Sequence, residues 1–205
     1  MKERPILFNG AMVRALLDGT KTQTRRVVKP QPSASSDSAI LGPDSVWRFS
    51  HPTLRGPVSH ATDDVRCPYG QPGDRLWVRE TWTHPLHHSH PIALYRATDE
   101  SAALAHLDFD RWIPSIHMPR WASRITLEVT DVRVERLNDC SEMDAMAEGM
   151  PFNASAVGTP TPGARPGPSA IAAYRGLWES INGAGSWELN PWVWVLGFKR
   201  LKRRS

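Results

Sequence analysis

Ile125-Thr126-Leu127-Glu128-Val129-Thr130-Asp131-Val132-Arg133-Val134 reads as a strand whose apolar side changes partway along. Ile125, Leu127 and Val129 fall on odd positions and Val132 and Val134 on even ones, whereas side chains on a regular strand alternate strictly between two faces. A slip of parity signals a bulge or sharp bend near Thr130-Asp131, the device by which small barrels turn corners. The closing run Trp192-Val193-Trp194-Val195-Leu196-Gly197-Phe198 is apolar on both faces, as a strand inside a barrel or beneath a helix would be.

Working outward, Arg75 to Trp82 alternates behind the turn signal Gln71-Pro72-Gly73-Asp74, and a further strand is expected near Ile92 to Ala97. Pro5 to Phe8 reads as a short strand, and Asn9 caps a helix carrying Met12, Val13, Leu16 and Leu17 until Gly19. Thr20 to Arg26 is then a turn entering a strand at Val27-Val28. Ser141-Glu142-Met143-Asp144 resembles a capping box opening a short helix that Gly149 closes, with Glu148 on the last turn. Ile171, Tyr174, Trp178 and Ile181 mark one face of a helix ended by Asn182-Gly183. The expected fold is α+β, a mostly antiparallel β-barrel decorated with short helices. Residues 29–66 read as a long loop held by Trp47 and Phe49, and 151–168 as a Gly/Pro-rich excursion, so residues 1–205 form one domain with two insertions.

The chain has 18 Pro and 9 Trp, which suggests irregular loops around an aromatic core. Five of its 25 basic residues (Lys199, Arg200, Lys202, Arg203 and Arg204) sit in the last stretch, so against 21 acidic residues the remainder is near neutral. That argues against a nucleic-acid-binding face spread over the fold. The apolar run at the end is far shorter than a membrane span of about 20 residues, no signal-peptide stretch opens the chain, and a cytoplasmic location follows. Cys67 and Cys140 have no metal-ligand spacing and read as inert thiols. His84, His87, His88 and His90 crowd a Pro-broken polar stretch that reads as an exposed loop; neither a metal nor a cofactor is expected.

Four segments together resemble the ASCH family: Gly19-Thr20-Lys21-Thr22-Gln23-Thr24-Arg25-Arg26 after a short helix, Gly73 to Val78, Ser141 to Gly149, and Trp192 to Phe198. They occur in the family's order over roughly half the chain, and the longer form is similar to members carried by phages and prophages. The resemblance implies a PUA-like barrel. In the members that hydrolyse N(4)-acetylcytidine, a Gly-x-Lys-Thr-x-Thr-x-Arg segment supplies a catalytic lysine and threonine, which Lys21 and Thr24 match. A glutamate on the short helix supplies the third group, and Ser141 to Glu148 fits that pattern with Ser in place of Thr, making Glu148 the counterpart. Arg25 departs from it, since that position is apolar in those enzymes.

Amide hydrolysis needs a nucleophile, a base and a donor to the leaving nitrogen, roles that Thr24, Lys21 and Glu148 can divide. Burial and the neighbouring Arg25 and Arg26 should lower the Lys21 pKa, while a touching carboxylate should raise it. A proton-sharing Lys21/Glu148 pair is therefore expected, with Lys21 in the turn rather than in the strand. A variant in which Glu148 activates water directly stays open. Candidates for holding the substrate are Asn9, Arg26, Trp77 and Arg79; Arg26 and Arg79 could instead pair with acids such as Asp74 and Glu80, and Trp77, like Trp82, Trp192 and Trp194, could simply be core. The expected partner is a modified nucleoside, with weak RNA contact through the basic tail. Two alternatives remain, a non-catalytic RNA-binding module and a ribonuclease.

Overall fold

The computed structural model describes residues 1–33, 36–50, 64–85, 92–99, 111–151 and 169–202. Its frame is an antiparallel pair, β9 (Thr126–Arg136) against β10 (Trp192–Arg200), within a sheet that also holds β1 (Glu3–Leu7), β2 (Gln23–Val27) and β6 (Arg75–Arg79). The strand order is β1-β6-β9-β10-β2; β1 runs parallel to β6 and the other neighbours are antiparallel. Gly197 lies opposite Asp131 and Phe198 opposite Val129, which leaves Thr130 as the extra residue of a bulge where the parity slip places it. A Cβ on Gly197 would lie 3.2 Å from Thr130 Oγ1 and 3.3 Å from Asp131 Cβ, so a glycine there lets the bulge close against its partner.

The sheet is buried on both faces at β10. Trp192, Trp194, Leu196 and Phe198 join Leu76, Val78, Leu127 and Val129 with Met12, Val13 and Leu16 of helix α1 (Gly10–Leu17). On the other face, Val193 and Val195 meet Ala145 of α2 (Glu142–Ala147) and Tyr174 and Trp178 of α3 (Ala170–Asn182). Asn9 Oδ1 accepts the Met12 N–H at 2.9 Å, and Ser141 and Asp144 complete the capping box of α2. Among the described residues no backbone pairing joins β1 to β2, but the two edges come close: Arg26 Nη2 donates to the Leu7 carbonyl at 2.7 Å.

Three readings need correction. Residues 29–66 are not merely loop: β3 (Ser38–Leu41), β4 (Trp47–Ser50) and β5 (Asp64–Val65) form a small antiparallel sheet. These strands are too short and polar to announce themselves, and they hold because Trp47 and Phe49 pack edge-on against Trp194 and Trp192 at centroid distances of 6.1 and 5.2 Å. The run from Arg75 to Trp82 breaks at Glu80, and β7 (Trp82–Thr83) leaves the main sheet to pair with β8 (Leu94–Tyr95), all that pairs of the strand expected at Ile92 to Ala97. Glu80 is buried and bound by Arg124 Nε and Nη2, each at 2.9 Å. Finally, Ile181 is half exposed. Residues 152–168, within the expected excursion, together with His87, His88, His90, Arg203 and Arg204, lie outside the described residues. No helix among the described residues is long and apolar enough to cross a membrane.

Phe49 is fully buried at the centre of the β4 contact. Phe49→Ala should lower unfolding free energy by about 3–5 kcal/mol in urea titration, a loss that a residue on a solvated loop would not produce.

Candidate functional site

Edge strand β2 and the end of α2 are joined through the turn after α1. Gly19, at φ +77°, ends α1, and Lys21 then sits before β2 in an isolated antiparallel bridge with Glu148. Its ammonium Nζ donates to Glu148 Oε2 at 2.7 Å and to the Glu148 carbonyl at 2.9 Å. Both side chains are sealed from solvent, at 0% and 1% exposure. The Thr22 N–H takes the Ala147 carbonyl at 2.8 Å, so β2's approach satisfies carbonyls that a helix end otherwise leaves orphaned.

The helix stop that makes this meeting feasible is a Schellman motif: the Gly149 N–H bonds to the Met146 carbonyl and the Met150 N–H to that of Ala145. Gly149 has φ +94°, and a Cβ there would lie 3.0 Å from Ala15 Cβ and 3.3 Å from Lys21 Cβ. Both the backbone conformation and the close approach of α1 require glycine.

Arg25 is the member of the site that motif reading left aside. Opposite Val195 in register, it points to the α2/α3 side, where its side chain is wholly buried. Its Nη2 pairs with Glu135 and lies 3.4 Å from Asp144 Oδ2, while Nη1 stands 3.5 Å from Glu148 Oε1. Asp144 also accepts from Gln23 Nε2 at 3.1 Å and Arg133 Nη2 at 2.6 Å. Burial works against the Asp144 charge, but the hydrogen bonds from Ser141 and Gln23 and the Arg25 charge outweigh it and hold this carboxyl well below the ordinary carboxylate range. Burial pushes the Lys21 ammonium below its usual 10.5; Arg26 and Arg25 push the same way, while attraction and a hydrogen bond from Glu148 oppose them.

A cavity of about 50 Å³ lies along the open edge of β2, bordered by Thr24, Arg25 and Arg26, by Glu148, and by Tyr174 and Trp178 of α3. Thr24 is buried. Glu148 Oε1, Arg25 Nη1 and Trp178 Nε1 are buried without a hydrogen-bond partner among the described residues. Lys21 does not border the cavity; it stands behind Glu148. Arg26, Val27 and Asn182 also border an outer hollow of about 290 Å³ that adds Lys29, Pro68 and Tyr69. A larger hollow of about 700 Å³ around Thr83, Trp112 and Ile113 contains none of these groups.

Of the residues singled out from sequence, Thr24, Glu148 and Arg26 border one cavity, and Lys21 holds Glu148 from behind. The others are elsewhere. Asn9 is occupied as the cap of α1. Arg79 stacks on Trp77 at 4.8 Å and donates to the Met118 carbonyl, and neither residue borders the cavity. The acids named as their alternative partners are taken by others, Asp74 by Arg4 and Glu80 by Arg124. Trp82, Trp192 and Trp194 are core. Burial raises the Cys67 thiol to about 11 and the Cys140 thiol to about 12, consistent with inert thiols. In the tail, Lys199 pairs with Glu128 at 2.7 Å. Among the described residues no group of His, Cys, Asp and Glu has the arrangement of a metal site.

Lys21→Met should cost about 3–5 kcal/mol of stability by stranding the Glu148 carboxylate, and Lys21→Met/Glu148→Leu should recover part of that loss in chemical denaturation. No protein-family model, no curated protein and no solved structure matches the chain, and a functional reading rests on the geometry of this cavity.

Proposed function

We propose that the protein is an amidohydrolase that removes the acyl group from an N(4)-acylated cytosine nucleoside. The observation that carries this reading is that buried Thr24 borders the same small cavity as Glu148, whose Oε1 has no hydrogen-bond partner among the described residues, with Lys21 bound to the other carboxylate oxygen. A hydroxyl is a poor nucleophile until a base removes its proton, and a carboxylate backed by a lysine of lowered pKa is such a base. The neighbouring volumes fit a divided substrate. The inner cavity suits the acyl amide, and the outer hollow offers Tyr69 as an aromatic surface for the pyrimidine and Arg26 and Lys29 beside it. The curled sheet is read as a PUA-like barrel whose seam between β1 and β2 is spanned by Arg26.

In the proposed cycle, the Thr24 proton passes to Glu148 Oε1 and on to neutral Lys21 while Oγ bonds to the acyl carbon. The C–N(4) bond then breaks, and the proton returns through Glu148 to the leaving amine. Water attacks the resulting threonine ester, with the Lys21/Glu148 pair again taking a proton, and the carboxylic acid departs with Thr24 restored. Base and nucleoside stay intact throughout.

Purified protein incubated with N(4)-acetylcytidine and a chelator should shift the ultraviolet spectrum to that of cytidine. Thr24→Val and Lys21→Met should each lower kcat/KM by about 10²–10⁴-fold. Because the cycle begins with neutral Lys21, kcat/KM should rise with pH and level off below 10.5. Absence of turnover across several acyl groups would remove the proposal.

A further inference from the structure

The hydrolase reading leaves one requirement unassigned, a pair of donors for the oxygen of the carbonyl under attack. Negative charge collects there as the tetrahedral intermediate forms, and fixed donors in a dry site stabilise it most. Among the residues bordering the cavity, Nε and Nη1 of Arg25, on β2, and Nε1 of Trp178, on α3, are buried without a hydrogen-bond partner among the described residues.

The Arg25 donor is held in place. Arg25 is anchored from behind by Glu135 and Asp144 at Nη2, and its guanidinium lies 6.0 Å from the Tyr174 ring centroid. Glu148 is anchored from behind by Lys21 at Oε2. The two remaining atoms, Arg25 Nη1 and Glu148 Oε1, are thereby held 3.5 Å apart, too far for a good hydrogen bond and close enough to serve one bound group from two sides. A buried donor in a protein interior is ordinarily matched by an acceptor, and a carbonyl oxygen in this cavity would supply one.

The charge around the cavity indicates what kind of oxygen. Lys21, Arg25 and Arg133 face Glu135, Asp144 and Glu148, three cations to three carboxylates. Arg26, which also borders the cavity, is turned to the Leu7 carbonyl and lies 5.2 Å from the Phe8 ring centroid, while a carboxylate entering beside Arg25 would meet Glu148. A neutral carbonyl that gains charge only during reaction suits the site.

We propose that the inner cavity is an acyl-oxygen pocket in which Arg25 Nη1 and Trp178 Nε1 donate to the scissile carbonyl, restricting the enzyme to short, uncharged acyl groups. This rests on the amidohydrolase reading. The small cavity favours a short acyl group over a benzoyl one, and Glu148 opposes a succinyl carboxylate.

The test measures kcat and KM for N(4)-acetyl-, N(4)-propionyl-, N(4)-succinyl- and N(4)-benzoylcytidine with the wild type, Arg25→Met and Trp178→Phe. Wild-type turnover of the first two only is expected, with kcat for acetylcytidine reduced about 10²–10³-fold in Arg25→Met at little change in KM. Wild-type preference for the succinyl or benzoyl substrate, or an Arg25→Met kcat within about threefold of wild type, overturns the pocket while leaving the hydrolase reading intact. No wild-type turnover of any substrate overturns both. Arg25→Met leaves three carboxylates facing one another; should it fail to fold, Trp178→Phe decides, since it removes one N–H and little volume. A kcat lowered about tenfold or more at constant KM then supports the pocket, and a kcat and melting temperature both unchanged overturn it.

Discussion

Lys21 and Glu148 lie 127 residues apart in the chain and meet out of reach of solvent, one at the foot of β2 and the other at the end of α2. Removing two opposite charges from water costs several kcal/mol per ion before their attraction offsets it, and an apolar pair of similar volume would often hold the fold as well. The pair's net contribution to stability is therefore small, which leaves room for the proton-transferring role proposed for it. What it requires of the surrounding structure is specific. Gly19 and Gly149 must turn the chain through positive φ, and Gly149 must leave room for Ala15 and the Lys21 side chain. The end of α2 must offer its carbonyls to Lys21 and Thr22.

Around this pair stands a second layer of charge. Asp144 serves at once as the capping-box acid of α2, an acceptor for Gln23 and Arg133, and a partner of Arg25, so the start of the helix and the middle of β2 are fixed by one carboxylate. Its strongly favoured ionised form keeps this layer charged at any pH near neutrality. Anchored from behind in this way, Arg25 and Glu148 present one unpartnered donor and one unpartnered acceptor to a cavity that Thr24 also borders. The α3 helix closes the far side with Tyr174 and Trp178, residues that sequence periodicity marks only as a packing face.

Features governed by near neighbours were legible before any coordinates. The parity change from Val129 to Val132 located the bulge, Asn9 announced α1, and Ser141 with Asp144 announced α2. Periodicity could not show that Glu135, Asp144 and Glu148 converge on Arg25, because those contacts depend on how β9, α2 and β2 are arranged in space. The small sheet from Ser38 to Val65 stayed hidden because its strands draw support from Trp192 and Trp194 rather than from their own pattern. Asn9, Trp77 and Arg79 show the opposite limit: each has a residue type suited to binding a nucleoside, and each is placed away from the cavity.

The most direct measurement is an NMR titration of the Lys21 side-chain nitrogen in the folded protein. Burial together with Arg25 and Arg26 predicts a midpoint below 10.5. A Lys21 midpoint at or above 10.5 would mean a fixed, fully charged ion pair and would contradict a proton-transferring centre at this site.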